Sequence, residues 1–166
     1  MNWYRKDVEE LSPDACWDLL GATEVGRLAV VVDGCPEIFP LNYVVDRRTI
    51  VFRSGPGTKV SGALAGRPVA LEIDGRDASA AKAWGVVVKG AAESIRPGHA
   101  LMEALELPLF PWQEGTKDQF VRIVPTIVTG RRFTMADREA WNSPLGVDRR
   151  TPTGSIRWVE QDSDRD

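Results

Sequence analysis

The dipeptide Asp33-Gly34 separates two β-rich runs, RLAVVV at 27–32 and PEIFPLNYVV at 36–45, and this constrains the chain more than any other feature. Asp-Gly supplies two adjacent residues that tolerate positive φ, as a two-residue hairpin turn requires, so the flanking runs are expected to pair antiparallel. A second turn at Asp46–Arg48 leads into TIVFRS at 49–54. RPVALEIDG at 67–75 sets Val69, Leu71 and Ile73 against Ala70, Glu72 and Asp74, a period of two that predicts a strand with one polar face. AWGVVVKGAAESI at 83–95 reads as a long apolar strand in which Gly85 and Gly90 mark bends or bulges. FVRIVPTIVTGRRF at 120–133 supplies the last strand, and Pro125 within it demands an edge or a bulge. Six strands without βαβ alternation predict a mainly β fold with short helices, closed as an antiparallel barrel rather than a Rossmann-type sheet.

Three short helices fit between these runs. SPDACWDLL at 12–20 opens with Ser12 at the N-cap and Pro13 in the first turn, and Cys16, Leu19 and Leu20 share a face. Residues 59–65 read as one or two helical turns of small residues, and PGHALMEALEL begins a further helix near Pro97.

The chain has 166 residues, 43% hydrophobic and 27% charged, the composition of a globular domain. A chain this long buries roughly 70% of its unfolded surface, so a core forms without disulfide or metal staples. Residues 1–147 are expected to form this one domain, and 148–166, DRRTPTGSIRWVEQDSDRD, a polar tail. A net charge of −3 provides no basic field for phosphate backbones, so a nucleic-acid partner is not expected. Apolar runs such as LAVVV and WGVVV fall far short of the roughly 20 residues of a membrane helix. MNWYRKDVEEL has no apolar leader core, so a cytoplasmic protein is expected. Cys16 and Cys35 form no CxxC pair, and the single histidine, His99, lies in a polar stretch that opens a helix, so no metal centre is expected.

The segment FRSGPGTKV at 52–60 is chemically the most informative. Arg53 and Ser54 end a strand, two glycines form a loop, and Thr58 and Lys59 begin a helix. A planar guanidinium, an ammonium, two hydroxyls and a closely approaching backbone can cradle an anion. The same pattern also describes an ordinary strand-to-helix connection with solvated charges. The GxxxxGKS/T spacing of a nucleotide-binding P-loop and a GxGxxG dinucleotide turn are both absent. Phe39, Asn42, Tyr43, Trp84 and Trp112 offer aromatic and amide groups that either pack in the core or line a flat ring.

Taken in order, LSPDACWDLLGATEVGRLAVVVDGCPEIFPLNYVVDRRTIVFRSGPGTKV, WGVVVKGAAESI and VRIVPTIVTGRRF resemble the pyridoxamine 5′-phosphate oxidase-like flavin-binding split barrels, over roughly residues 11–133. Within them, the chain is similar to the small bacterial nitroimidazole-reductase-like subgroup. The resemblance implies a six-stranded antiparallel split β-barrel of the FMN-binding type, working as a homodimer with FMN at the subunit interface. It implies that Phe39, Pro40, Leu41 and Asn42 run along the isoalloxazine ring and that Arg53, Ser54, Thr58 and Lys59 hold the phosphate. Trp84 and Trp112 would come from nearby or from the partner chain. The family also includes members that bind a deazaflavin coenzyme or heme.

Two departures stand out. TGRRF ends the barrel without the histidine of the oxidases' arginine–histidine substrate motif, and His99 matches no active-site histidine of the nitroimidazole reductases. The resemblance therefore implies an FMN-dependent oxidoreductase acting on a small organic substrate. The alternatives are a deazaflavin-dependent reductase, with Arg47, Arg48, Arg131 and Arg132 as its basic groove, or a non-catalytic dimer binding flavin or heme.

Overall fold

The computed structural model describes residues 8–109 and 117–135. All but the last of them belong to one compact unit ending at Thr134. The tail expected at 148–166 and Trp112 lie outside the described residues.

The described elements run β1 (Val8–Glu10), α1 (Pro13–Ala22), β2 (Val25–Val32), β3 (Cys35–Asp46), β4 (Thr49–Ser54), α2 (Thr58–Ala63), β5 (Val69–Asp77), β6 (Lys82–Ser94), α3 (His99–Leu105) and β7 (Gln119–Thr134). The strands pair antiparallel in the order β1-β7-β4-β3-β2-β5-β6, and β6 also pairs with β7. Six strands, β2 to β7, thus close a ring of pairings, as the sequence predicts. The seventh, β1, corrects the count of six: it lies along the end of β7, with Val8 opposite Phe133 and Glu10 opposite Arg131. It is three exposed residues held by that pairing, so no periodicity announces it.

The turns follow local chemistry. Asp33 and Gly34 have φ of 50° and 81°, the conformation expected of the first hairpin. Arg47 and Arg48 adopt the same left-handed geometry, at 48° and 59°, without glycine or asparagine. Thr49 Oγ1 donates to the Asp46 carbonyl at 2.6 Å across this turn. Beside it, Arg122 reaches the Asp46 carboxylate at 2.7 Å, both side chains being largely buried.

The β6–β7 ladder runs from Lys82↔Thr134 to Ser94↔Val121 and is interrupted between Lys89 and Gly90, where Thr126 bulges out beside Pro125. Gly90 is required there, because a Cβ would come within 2.1 Å of the Val124 carbonyl oxygen. Gly85, by contrast, sits in regular register opposite Asp74 and Arg131.

Side chains alternate across the strands and build two cores. Leu28, Val30, Leu41, Tyr43, Ile50, Phe52, Leu71, Ile73, Val86, Val88, Val121 and Ile123 fill the interior, together with Cys16 and Leu20 from α1. α1 begins as predicted: Ser12 accepts from the Ala15 amide at 3.2 Å, and Pro13 occupies the first turn. At its end, the buried Tyr43 hydroxyl donates to the Leu20 carbonyl at 2.8 Å. Burial pushes the Tyr43 phenol well above its ordinary value. The second core lies on the outer face, where Val44, Val51 and Phe120 meet Leu101 and Ala104 of α3 with Leu107 and Leu109. No described helix is long and apolar enough to cross a membrane.

Candidate functional site

β3 is the strand on which the site is built, because it outruns one of its neighbours. On one side it pairs with β2 along its length, from Val32↔Cys35 to Val25↔Asn42. On the other it pairs with β4 only from Tyr43↔Phe52 to Asp46↔Thr49. Beyond Tyr43 the two strands part, and β4 continues against β7 through Arg53↔Phe120 and Ser54↔Gln119.

The backbone of this open edge can be assigned. The Tyr43 amide donates to the Glu24 carbonyl at 3.2 Å, so Tyr43, Leu41 and Phe39 direct their main-chain groups towards β2. Asn42, Pro40 and Ile38 direct theirs to the other side, Asn42 towards Arg53 and Pro40 and Ile38 to where β4 has left. Pro36 and Pro40 both fall at these positions, where a missing N–H breaks no ladder bond. The Ile38 amide and the carbonyls of Pro40 and Ile38 therefore face the split, where a planar heterocycle with donors and acceptors on its edge could meet them.

Cations gather where the split widens. The Arg53 guanidinium lies 4.7 Å over the Phe120 ring, and its Nε donates to the Lys117 carbonyl at 3.0 Å. Lys59, in the first turn of α2, places its ammonium 5.8 Å over the Phe39 ring. Burial, and secondarily the repulsion of Lys117, holds the Lys59 amine below the ordinary lysine range. A half-buried lysine whose charge a second lysine opposes, next to an arginine fixed by stacking, makes a site that an anion would relieve. Ser54 is buried beside them, at 7% exposure, and Thr58 is exposed at the start of α2. α2 is drawn onto β2 because Gly62 lets the helix settle on Val30 and Val32: a Cβ there would meet their methyls at 2.9 Å.

The structure thus brings Phe39, Pro40, Asn42, Arg53, Ser54, Thr58 and Lys59 around one opening. Leu41 borders it only through its neighbours, since its side chain is 7% exposed in the interior core. Trp84 is not with them in the same chain. It pairs with Arg132 while Ser94 pairs with Val121, so roughly 30 Å of strand separates Trp84 from the cation end of β7. There its indole lies across Gly75, where a Cβ would come within 2.3 Å of the ring. Lys117 and Phe120 belong to the site although the sequence reading does not select them, because only the β4–β7 register carries residue 117 to residues 53 and 59.

Next to the split, a cavity of about 380 Å³ is lined by Leu20, Gly21, Thr23, Glu24, Asn42, Tyr43, Val44, Val45 and Pro108. The arginines expected as a basic groove do not share one site. Arg47 and Arg48, at the β3–β4 turn, bond Glu103 at 3.2 Å and Asp14 at 2.6 Å, whereas Arg131 and Arg132 lie at the far end of β7. His99 is 88% exposed and faces Glu103 at 3.6 Å. Among the described residues, no group of three His, Cys, Asp or Glu side chains is placed to hold a metal ion.

Comparison with known proteins decides the family. The model of the pyridoxamine 5′-phosphate oxidase family matches residues 12–132. The chain belongs to this family. It is similar to the structure of an FAD-binding protein from Mycobacterium smegmatis, at 41% identity and a TM-score of 0.68 over 77% of this chain and all of that one. It is also similar to an FAD-binding protein from Mesorhizobium loti, at 28% identity and a TM-score of 0.65 over 76% of this chain and 99% of that one. An uncharacterised Mycobacterium tuberculosis protein is 33% identical over 138 residues, 80% of this chain and 90% of its own length. The two solved structures share the split-barrel architecture, which matches the ring of six strands described above. Family membership establishes the fold, and many chemistries share one fold, so the reaction has to be argued from the site.

Proposed function

We propose that the chain binds a flavin nucleotide in the split between β3 and β4 and serves as an oxidoreductase for a small organic substrate. One observation carries the reading: an open strand edge, with the Ile38 amide and the Ile38 and Pro40 carbonyls unladdered, runs beside a cluster of Arg53, Lys59 and Lys117. A flavin nucleotide has the same two parts, a flat ring with polar edges and an acidic phosphate tail. In this reading Arg53, Lys59, Lys117, Ser54 and Thr58 hold the phosphate, and the Ile38–Asn42 edge orients the ring. Bound there, the flavin supplies hydride and electron transfer, while the protein binds, orients and excludes water.

The similarity to FAD-binding proteins at 41% and 28% identity favours FAD over FMN, which the sequence resemblance implies. FMN shares the ring and the first phosphate and is the direct comparison ligand. The reading includes a cytoplasmic homodimer: a second copy would bring Trp84 to the ring that its own chain leaves out of reach.

Absorption of the purified protein, followed by titration with FAD, FMN, a deazaflavin coenzyme and heme, tests the proposal. Flavin bands and stoichiometric FAD uptake, with dimer mass by light scattering, are expected. Deazaflavin uptake without flavin uptake, or a heme Soret band, overturns the cofactor; a monomer that binds flavin fully overturns the shared site.

A further inference from the structure

Asn42 belongs to two features at once. Its main-chain groups point towards Arg53, where the split begins, and its side chain lines the cavity of about 380 Å³ on the outer face of β3. Side chains alternate along β3, so Asn42 and Val44 share this face, while Leu41 and Tyr43 point into the core. Arg53 lies on the same face of β4, at the position where Asn42 would pair if the two strands had not parted. The cavity therefore opens beside the split where the Ile38–Asn42 edge ends, with Arg53 the nearest of the cations.

Its walls are chemically uneven. Leu20, Val44, Val45 and Pro108 are apolar, and Gly21 leaves room at the end of α1. The polar groups are the Asn42 amide, Thr23 and Glu24. The Thr23 hydroxyl is already engaged, donating to the Leu19 carbonyl at 2.9 Å, and the Glu24 main chain is fixed by the Tyr43 amide. Glu24 is the one formally charged residue among those lining the cavity. Its volume falls in the range of small-molecule sites and is ample for a ring or two.

We infer that this cavity is the substrate recess of the flavin site and that it takes a flat, uncharged or cationic aromatic molecule, discriminating against anions through Glu24. The inference rests on the flavin reading, because a phosphate tail seated on Arg53 and the two lysines removes the nearest positive charge and leaves Glu24 to set the sign. Apolar walls contribute affinity, and one carboxylate at the rim decides between otherwise matched ligands. A substrate carrying its own phosphate is a poor match for this recess.

The test uses three matched probes, 2-naphthamidine, 2-naphthamide and 2-naphthoate, titrated into the FAD-loaded protein and followed by amide NMR shifts. The amidine and the amide are expected to move the Asn42–Val45 and Thr23 amides, with the carboxylate binding about tenfold more weakly than the amidine. Glu24→Lys should invert that preference while leaving FAD affinity within twofold. A 2-naphthoate that perturbs Asn42–Val45 as tightly as the amide overturns the inference, as does an absence of shifts there from all three probes. Failure of the flavin reading is separate: it appears in the FAD titration of the same sample, and the probes then read the recess in the flavin-free protein by the same criteria.

Discussion

The barrel has a sealed side and a parted side. β6 and β7 pair from Lys82↔Thr134 to Ser94↔Val121 with one bulge, whereas β3 and β4 pair only from Tyr43↔Phe52 to Asp46↔Thr49 before diverging. Along the first, main-chain groups are used up in the ladder and large side chains are buried on the inner face. Along the second, Ile38 and Pro40 keep outward main-chain groups, and cations collect where the strands separate. In the proposed reading stability and binding fall to different strand pairs, and substitutions can separate them.

The largest effect is expected on the sealed side. Gly90→Ala drives a methyl into the Val124 carbonyl, 2.1 Å from its oxygen, and backbone on both strands has to move. A loss of about 3 kcal/mol is expected, at the upper end for overpacking, and it lowers the melting temperature by roughly 10 °C for a chain of this size. Flavin affinity of the remaining folded protein should stay within a fewfold of wild type. If flavin binding collapses while the melting temperature holds, the two sides are not independent.

Next comes the parted side. In the proposed site Lys59→Ala removes a charge-assisted contact to the phosphate, and it is expected to weaken flavin binding by roughly 1.5–3 kcal/mol with little change in urea unfolding. An unchanged dissociation constant would exclude Lys59 from the phosphate site. The pH dependence sharpens this. Burial and Lys117 hold the free Lys59 pKa below the usual 10.5, and a bound phosphate raises it again. Affinity is therefore full below the free-state pKa and falls as pH rises from there towards the bound-state value, with proton uptake on binding in that window. Lys59→Arg, always charged, should flatten the profile in a fluorescence titration.

These two sides were unequally legible in the sequence. Asp33-Gly34 encodes its own turn, and the alternation in RPVALEIDG encodes its own strand, because φ preference and period are local. Arg53, Ser54, Thr58 and Lys59 were readable as a group because they lie within seven residues of chain, which hold them together whatever the rest does. Lys117 was not, since its place depends on a register between strands more than sixty residues apart, and β1 was not, since three exposed residues have no period. The recess around Asn42 needs the end of α1, the last residues of β3 and Pro108 at once, and no local pattern joins them.

The smallest effect concerns the turn that begins the β3–β4 pairing. Arg47 and Arg48 occupy the left-handed region at φ of 48° and 59°, where a side chain costs about 1–2 kcal/mol per residue relative to the right-handed form. Their ion pairs offset little: Arg48 and Asp14 are 63% and 80% exposed, and pairs so exposed contribute at most about 1 kcal/mol. The double substitution Arg47→Asn, Arg48→Gly gives the turn the residues its geometry favours. Relief of backbone strain, less the lost pairs and the greater freedom of the unfolded glycine, leaves an expected gain of about 0.5 kcal/mol in equilibrium urea unfolding. Because the split opens beyond Tyr43, at the other end of this pairing, flavin affinity should not change. A loss of stability instead would mean that the contacts of Arg47 with Glu103 and of Arg48 with Asp14, which tie the turn to α3 and α1, outweigh the backbone strain they accompany.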